Sequence, residues 1–201
     1  MKNVKVHDPF LLSCFQISVE NWPEKKEKLL NLVDWKDPQS NSSVFFSDYF
    51  KNLQQPDKRP KYAKSFINIL KPELNQFVNA VEQSPITRKF GQPKINLRMH
   101  IATLWAQRYT TTQNMQPHTH ESVGYSAVLY AEFNEKEHEA TEFFAPFKNV
   151  VDTMDYRWLP EVKEGDILFF PSPLLHYSLP NRSKEPRTIF SFNCNLGPAG
   201  R

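Results

Sequence analysis

The sequence is poor in glycine and cysteine and contains no long apolar run. Its 201 residues include only 5 glycines and 2 cysteines, against 16 prolines. Cys14 and Cys194 lie near opposite ends of the chain and outside any metal-type spacing, which predicts free thiols in a reducing compartment. No segment approaches the length of a membrane span, and "MKNVKVHDPFLLSCF" lacks the pattern of a cleaved leader. We therefore expect a cytoplasmic protein with no membrane partner.

An excess of one charge is also absent. The 25 basic and 22 acidic residues leave a formal net charge of +3, and the basic residues are scattered, so no nucleic-acid partner is indicated. Hydrophobic residues make up 39% of the chain and aromatic residues 13%, which is typical of a globular protein. A chain of this length can bury a substantial core, and we expect a single domain over residues 1–201.

The first half of the chain shows helical periodicity. Pro23 opens "PEKKEKLLNLVDW", in which Leu29, Leu30 and Val33 form one apolar stripe. The clearest helix is predicted in "KPELNQFVNAVEQS", where apolar residues recur at i, i+3, i+4 and i+7. These segments predict an N-terminal helical layer over residues 1–94.

From residue 94 onward the period changes to two. Apolar and polar residues alternate in "KINLRMHIATLWAQRY" and "RTIFSFNCNL", and four shorter segments between them are also predicted to be strands: "GYSAVLYAEF", "TEFFAPF", "EGDILFFPS" and "HYSLP". No helical pattern intervenes, which favours an antiparallel sandwich or barrel. The predicted fold class is α+β, with a mainly β core over residues 95–196 packed against the helical layer.

Two histidines stand one residue apart in "QPHTHESVGYSAVLY", before an apolar strand. On an extended backbone the side chains of His118 and His120 project to the same face, about 6 to 7 Å apart, and can converge on one ion. Imidazole binds Fe, Zn, Cu and Ni alike, so the pair does not identify the metal. Histidines at the surface or in contact with a substrate are the alternative interpretation.

A third histidine follows in "EGDILFFPSPLLHYSLPN". His176 comes after an apolar strand and a proline-bounded turn, which would place it at the rim of a barrel as a third ligand. The alternative is a core histidine whose ring is hydrogen-bonded to a backbone carbonyl.

Arg187 opens the last predicted strand, in "PRTIFSFN". Strand alternation puts Arg187, Ile189 and Ser191 on one face. If that face is the interior, the guanidinium needs an anion, because a buried unpaired charge is costly and a dicarboxylate would provide a bidentate partner. A structural salt bridge is the alternative.

In their order and spacing, these segments resemble the iron(II)- and 2-oxoglutarate-dependent oxygenases. That family has a double-stranded β-helix (a jelly-roll, cupin-like fold), a His-x-Asp/Glu…His iron site and a final-strand arginine that binds the distal carboxylate of 2-oxoglutarate. More narrowly, "HTHESVGYSAVLY", "GDILFFPSPLLHYSLPN" and "RTIFSFN" resemble a subgroup of small 2-oxoglutarate oxygenases, and "LWAQRY" resembles the strand that precedes its first ligands. The resemblance covers about residues 95 to 196.

The sequence departs from the family pattern at two positions. His120 stands where the family has its carboxylate, and Glu121 follows one residue late. Three arrangements are open: a triad of three histidines, a bulged backbone that brings Glu121 to the metal, or two histidines with the third position open to water or halide. Ile189 stands where the subgroup tends to have serine, so Tyr130 or Ser191 is expected to assist Arg187.

The resemblance implies a non-haem iron(II) dioxygenase that uses 2-oxoglutarate as co-substrate. Its partners would be O2 and an unidentified substrate, with ascorbate as a reductant, and it would hydroxylate a C–H bond with release of succinate and CO2. The implied metal ligands are His118, His120 and His176, and the implied co-substrate residues are Arg187, Tyr130 and Ser191. Apolar cavity walls are expected from four aromatic residues: Trp105, Phe143, Phe144 and Phe169.

Two other functions fit the same residues. A cupin-type dioxygenase with three histidines and no 2-oxoglutarate would account for the HxH motif but not for Arg187. A non-catalytic β-barrel binding module would retain the histidines for structural reasons.

Overall fold

The computed structural model describes residues 3–10, 12–36, 45–85, 96–120 and 124–199. The helices are α1 (Trp22–Leu30), α2 (Tyr49–Leu53), α3 (Ala63–Ile69) and α4 (Lys71–Gln83). The strands are β1 (Val4–His7), β2 (Cys14–Ser18), β3 (Phe46–Ser47), β4 (Leu97–Tyr109), β5 (Met115–His118), β6 (Tyr125–Glu132), β7 (Thr141–Lys148), β8 (Asp155–Trp158), β9 (Asp166–Pro171), β10 (His176–Ser178) and β11 (Arg187–Pro198).

The strands form two antiparallel sheets. The larger sheet has the strand order β1-β2-β9-β6-β11-β4-β3, and the smaller has the order β5-β10-β7-β8. From β4 onward the chain crosses repeatedly between the sheets: β4, β6, β9 and β11 lie in the larger sheet, and β5, β7, β8 and β10 lie in the smaller one. This crossing brings residues distant in sequence to the space between the sheets.

The larger sheet lies in the middle of the molecule, with a separate apolar cluster on each face. Phe77 of α4 stacks on Phe169 of β9 at a centroid distance of 3.9 Å, and both rings are fully buried in the cluster between helices and sheet. Burial of one such side chain contributes roughly 1.5–3 kcal/mol. The second cluster, which includes Phe143 and Phe170, fills the space between the two sheets.

The side chains of the last strand, β11, point alternately to the two apolar clusters. Phe190 and Phe192 of β11 point into the cluster under the helices, whereas Ile189 points into the cluster between the sheets. This agrees with the two faces predicted for the strand. Arg187 and Ser191 therefore belong to the face that looks toward the smaller sheet.

Three short strands, β1, β2 and β3, lie within the segment predicted to be helical. β1 and β2 pair with each other, and β2 joins the larger sheet through β9, with Phe15 opposite Phe169. The five residues of β2 are too few to show a period, and four of them are buried. The predicted helices at α1 and α4 are confirmed.

Gly165 makes the turn that leads into β9 and fixes where α1 packs. Its φ is +86°, a conformation that favours glycine, and a Cβ there would lie 2.7 Å from Cγ of Trp22. The close approach of the turn to the indole therefore requires a residue without a side chain.

Both cysteines are buried and free, as predicted. Burial raises the pKa of each thiol to about 12, so neither is a reactive thiolate. Within the described ranges, no helix has the length and apolar character needed to cross a bilayer.

Candidate metal centre and its cavity

Three histidines meet where β5 and β10 pair. His118 ends β5 and lies directly opposite His176, the first residue of β10, while His120 follows two residues after His118. The ring centroids are 4.4 Å apart for His118 and His176, 5.1 Å for His118 and His120, and 5.0 Å for His120 and His176. One ring nitrogen from each histidine lies within 4.8 Å of the other two. Two nitrogens bound to one ion at 2.0–2.1 Å are at most about 4.2 Å apart, so the group is close to coordinating spacing.

Hydrogen bonds orient two of the three rings. Nδ1 of His118 lies 2.8 Å from the carbonyl oxygen of Gln116, and Nδ1 of His176 lies 2.8 Å from that of Leu174. Because a carbonyl only accepts, Nδ1 must donate, and Nε2 of the neutral ring keeps its lone pair. This is the usual outer hydrogen bond of a metal-binding histidine. The hydrogen bond from His176 to the carbonyl oxygen of Leu174 is therefore compatible with a role as a metal ligand, and the two interpretations of His176 do not exclude each other.

The environment favours the neutral form of two of the imidazoles. Burial, with a smaller contribution from the neighbouring imidazoles, lowers the pKa of His176 to about 3 and that of His120 to about 4. A neutral imidazole is the form that binds a metal. The residues therefore fit a divalent metal such as iron, which would take one ring nitrogen from each of the three histidines.

The third position of the group is an imidazole. Within the described part of the chain, no carboxylate or thiol joins the three histidines. The backbone N–H of His120 donates to the carbonyl oxygen of Ser172 at 3.0 Å, which attaches this segment to the turn after β9. Glu121, the alternative ligand, lies outside the described residues. The three histidines of the first expected arrangement lie together, and the choice between His120 and Glu121 as the third ligand stays a prediction.

A cavity of about 220 Å³ opens onto the three histidines. It lies between the two sheets and is bounded on one side by α2 and the residues before it. Trp105 lines it, as predicted, and so does Phe170, which was not predicted. The remaining lining side chains are apolar or carry only hydroxyl or amide groups, apart from the three imidazoles. The cavity is therefore a mostly apolar chamber with a cluster of nitrogen donors at one point.

Three of the expected walls lie elsewhere. Phe143 is fully buried beside His176, at 5.7 Å between ring centroids, and supports that ring from behind the cavity. Phe144 stacks on Tyr177 instead, and Phe169 packs under the helices against Phe77. Alternation along β7 and β9 sends neighbouring aromatic residues to opposite faces, and Phe170 rather than Phe169 faces the cavity.

Arg187 is a buried cation without a carboxylate partner. It is 2% exposed, and among the described residues no carboxylate lies within ion-pair distance of it. Its Nη1 donates to the carbonyl oxygen of Glu139 and its Nη2 to that of Leu179, each at 2.8 Å, while Nε has no partner. Burial lowers the pKa of the guanidinium, although arginine stays charged in proteins. The predicted alternative of a structural salt bridge is not what these residues show.

Arg187 does not itself line the cavity. Its Cζ lies 4.8 Å from the ring centroid of Tyr109, and Tyr109 does line it, together with Ser178. Register places Tyr109 opposite Arg187 on the neighbouring strand β4. Burial raises the pKa of Tyr109 to about 12, so its hydroxyl keeps its proton and can donate a hydrogen bond. Tyr109 thus contacts both the guanidinium and the cavity surface, a role that sequence reasoning missed although the residue closes the noted motif "LWAQRY".

The two residues expected to assist Arg187 differ in position. Ser191 lines the cavity, and its Oγ donates to Oε1 of Gln107 at 3.4 Å. Tyr130 is buried without lining the cavity, and its hydroxyl accepts from the backbone N–H of Thr141 at 3.2 Å. Ser191 therefore faces the cavity, whereas Tyr130 lies behind its surface with the proton of its hydroxyl still free to donate.

Comparison with known families agrees with the resemblance drawn from the motifs. Residues 103–193 match the model of the family described as "Putative 2OG-Fe(II) oxygenase". The matched range contains all three histidines of the group as well as Arg187, Tyr109 and Ser191. No curated protein sequence matches the chain.

Solved structures share the fold at low sequence identity. The alpha-ketoglutarate-dependent epimerase SnoN of nogalamycin biosynthesis is 13% identical, with a TM-score of 0.59 over 93% of this chain and 81% of its own. A prolyl-4-hydroxylase of Pseudomonas putida is 14% identical, with a TM-score of 0.53 over 92% and 94%. HygX of Streptomyces hygroscopicus, solved with nickel, 2-oxoglutarate and hygromycin B, is 14% identical, with a TM-score of 0.55 over 94% and 84%. The predicted double-stranded β-helix is confirmed.

Proposed function

We propose that this chain is a non-haem iron(II)- and 2-oxoglutarate-dependent oxygenase that hydroxylates a C–H bond of its substrate and releases succinate and CO2. The observation that carries the proposal is the buried guanidinium of Arg187, which has no carboxylate partner among the described residues and lies on the inner face of a double-stranded β-helix that also gathers three imidazoles. The family match over residues 103–193 supports the same chemistry. Solved structures with this fold include both an epimerase and a hydroxylase, so hydroxylation is the part of the proposal that experiment must decide.

His118, His120 and His176 would hold the iron. When bound, iron(II) supplies the redox chemistry that activates O2 and couples its reduction to the oxidative decarboxylation of 2-oxoglutarate. The hydrogen bonds from Nδ1 of His118 and His176 keep their rings oriented, so that little rearrangement is needed on binding. Three neutral donors leave the site one unit more positive than a site with a carboxylate, which favours a dianionic co-substrate.

Arg187 would bind the distal carboxylate of 2-oxoglutarate. Its Nε is free, and two further N–H groups remain after the bonds to the two backbone carbonyls. The Tyr109 hydroxyl is the second donor we assign to this carboxylate, because Tyr109 lies both against Arg187 and on the cavity surface. The apolar walls would exclude water and strengthen these charge-assisted bonds.

The proposal is tested by co-substrate binding and turnover. Iron(II)-loaded protein is expected to bind 2-oxoglutarate and, with ascorbate present, to convert it slowly to succinate. Arg187→Ala should lose binding by at least 30-fold, which corresponds to about 2 kcal/mol. The matched control is Arg182→Ala, because Arg182 is exposed and lies in the same connection. Equal binding by the Arg187 variant and the native protein would refute the assignment.

A second candidate is favoured by the all-imidazole donor set. A cupin-type dioxygenase holds its metal with three histidines and does not use 2-oxoglutarate. Iron-dependent oxygen uptake with a substrate in the absence of 2-oxoglutarate would establish this candidate. A non-catalytic binding module would instead show no stabilisation by iron(II) at all.

A further inference from the structure

Three aromatic rings form a continuous ladder from the protein surface to the histidine group. Phe50 of α2 is 68% exposed, and its ring contacts that of Tyr49 at 5.3 Å between centroids. Tyr49 contacts Trp105 at 5.0 Å, and Trp105 contacts the imidazole of His120 at 5.7 Å. All three residues, here called the aromatic ladder, line the cavity. A row of apolar side chains that begins at the exposed surface and extends into a buried cavity is typical of a binding surface.

A second aromatic chain runs to the other end of the site. Phe45 packs on Tyr109 at 4.7 Å, and Tyr109 packs on the guanidinium of Arg187. The aromatic ladder ends at the imidazole of His120, whereas the row formed by Phe45 and Tyr109 ends at the guanidinium of Arg187. If the co-substrate spans from Arg187 to the metal, the ladder is the side left for the primary substrate.

The described side chains that line the cavity carry no formal charge. Apart from the imidazoles, the polar side chains among them are hydroxyls and one amide, including Ser47, Gln107 and Thr119. Among the described lining residues there is no aspartate, glutamate, lysine or arginine. Once the co-substrate has taken up the charge of the metal, a charged substrate group entering this space would lose its hydration without gaining a charged partner from these side chains. Aromatic rings, by contrast, pack favourably edge to face, and the ladder already uses that geometry with interplanar angles of 73° and 66°.

We infer that the primary substrate presents an uncharged aromatic ring, which binds along the aromatic ladder with its reacting C–H bond next to the metal. This inference rests on the proposed function for the position of the co-substrate. Gln107 provides the amide that orients a polar substituent of the ring, because it lines the cavity beside Ser191.

The test uses three fluorinated probes of one size. Zinc-loaded protein saturated with N-oxalylglycine, an unreactive isostere of 2-oxoglutarate, is titrated by ¹⁹F NMR with 4-fluorobenzyl alcohol, 4-fluorobenzylammonium and 4-fluorobenzoate. The neutral alcohol is expected to bind at least tenfold more tightly than either ion, which corresponds to about 1.4 kcal/mol. It is also expected to bind at least threefold more tightly than cyclohexylmethanol, measured by competition. Equal or tighter binding of either ion, or of the aliphatic alcohol, would overturn the inference.

Variants locate the bound probe. Phe50→Ala should weaken binding of the neutral alcohol about threefold, and the double variant Tyr49→Ala/Phe50→Ala at least tenfold. The matched control is Tyr156→Ala, which removes an aromatic residue that is 45% exposed on β8 and does not line the cavity. Circular dichroism and thermal unfolding verify that each variant is folded. If the control weakens binding as much as the ladder variants do, the ladder is not the binding surface.

Different results would contradict the proposed function and the inference about the substrate. Failure of N-oxalylglycine to bind contradicts the proposed function, and the comparison of the alcohol with the ammonium ion is then made on protein carrying zinc alone. Binding of N-oxalylglycine without preference for the neutral aromatic probe contradicts only the inference about the substrate.

Discussion

The substitution Arg187→Met separates a functional arginine from a structural one. Methionine retains an unbranched apolar stem of similar length in a site that is 2% exposed. The variant loses two charge-assisted hydrogen bonds to backbone carbonyls, worth about 1.5–3 kcal/mol each. It also no longer has to bury an unpaired ion, which costs several kcal/mol. These contributions oppose one another, so without ligand we expect the free energy of unfolding to change by less than about 2 kcal/mol.

With 2-oxoglutarate present, the native protein should be clearly more stable than the Arg187→Met variant. At 100 times its dissociation constant, 2-oxoglutarate stabilises the native protein by about 2.7 kcal/mol, which raises Tm by roughly 5–11 °C for a domain of this size. Losing the carboxylate partner weakens binding by at least about 2 kcal/mol, so the same concentration should stabilise the Arg187→Met variant by less than about 1 kcal/mol.

The assay is urea denaturation and thermal unfolding of zinc-loaded protein, with and without 2-oxoglutarate. The exposed Arg182→Met is the control, and it should match the native protein in both conditions. A variant that loses more than about 3 kcal/mol without ligand, yet keeps the native rise in Tm with 2-oxoglutarate, would refute the reasoning. That result would show that Arg187 holds the barrel closed rather than binding an anion.

Three other outcomes are expected. The folded-state pKa values of His176 (about 3) and His120 (about 4) lie below the ordinary value, so these histidines take up protons in the unfolded chain before they do in the folded protein as pH falls. Metal-free protein should therefore lose about 2 to 4 kcal/mol of stability between pH 7 and pH 5. A urea midpoint that does not change over this range would contradict the expectation. Gly165→Ala should destabilise the protein by about 2–4 kcal/mol in urea denaturation, because its Cβ would meet Trp22 in a conformation that favours glycine; unchanged stability would show that the turn relaxes freely. The iron-induced rise in Tm should disappear in His120→Ala and persist in Glu121→Gln, whereas the opposite pattern would make Glu121 the third ligand.

The faces of the strands could be predicted from the sequence because strand alternation is a local property of the backbone. Residues two apart on β11 share a side, so Ile189 and Ser191 were expected on one face and Phe190 on the other, as the structure shows. The helix α4 was predicted for the same reason, from its own period. β2 was missed because four of its five residues are buried, on both faces of the strand, and so carry no alternation.

The candidate site was predicted in part. The spacing of the histidines and the resemblance to a known family together pointed to His118, His120 and His176. In the structure, one ring nitrogen of each histidine lies within 4.8 Å of the other two. The choice of Tyr130 as a neighbour of the co-substrate stays a prediction: Tyr130 does not line the cavity, but its hydroxyl only accepts from the backbone N–H of Thr141 and keeps a proton to donate. Tyr109, which sequence reasoning did not select, lies against Arg187 and lines the cavity.

By itself, the sequence determined which side chains share a face and which chemical groups are available: three imidazoles, one guanidinium and a series of aromatic rings. Only the tertiary structure decided which of them meet. Tyr109 lies against Arg187 because β4 pairs with β11 in one particular register, and Trp105 lies between Tyr49 and His120 because α2 packs beside the mouth of the cavity. A period of two is set by neighbouring residues, whereas register and packing join segments many residues apart and depend on the whole core.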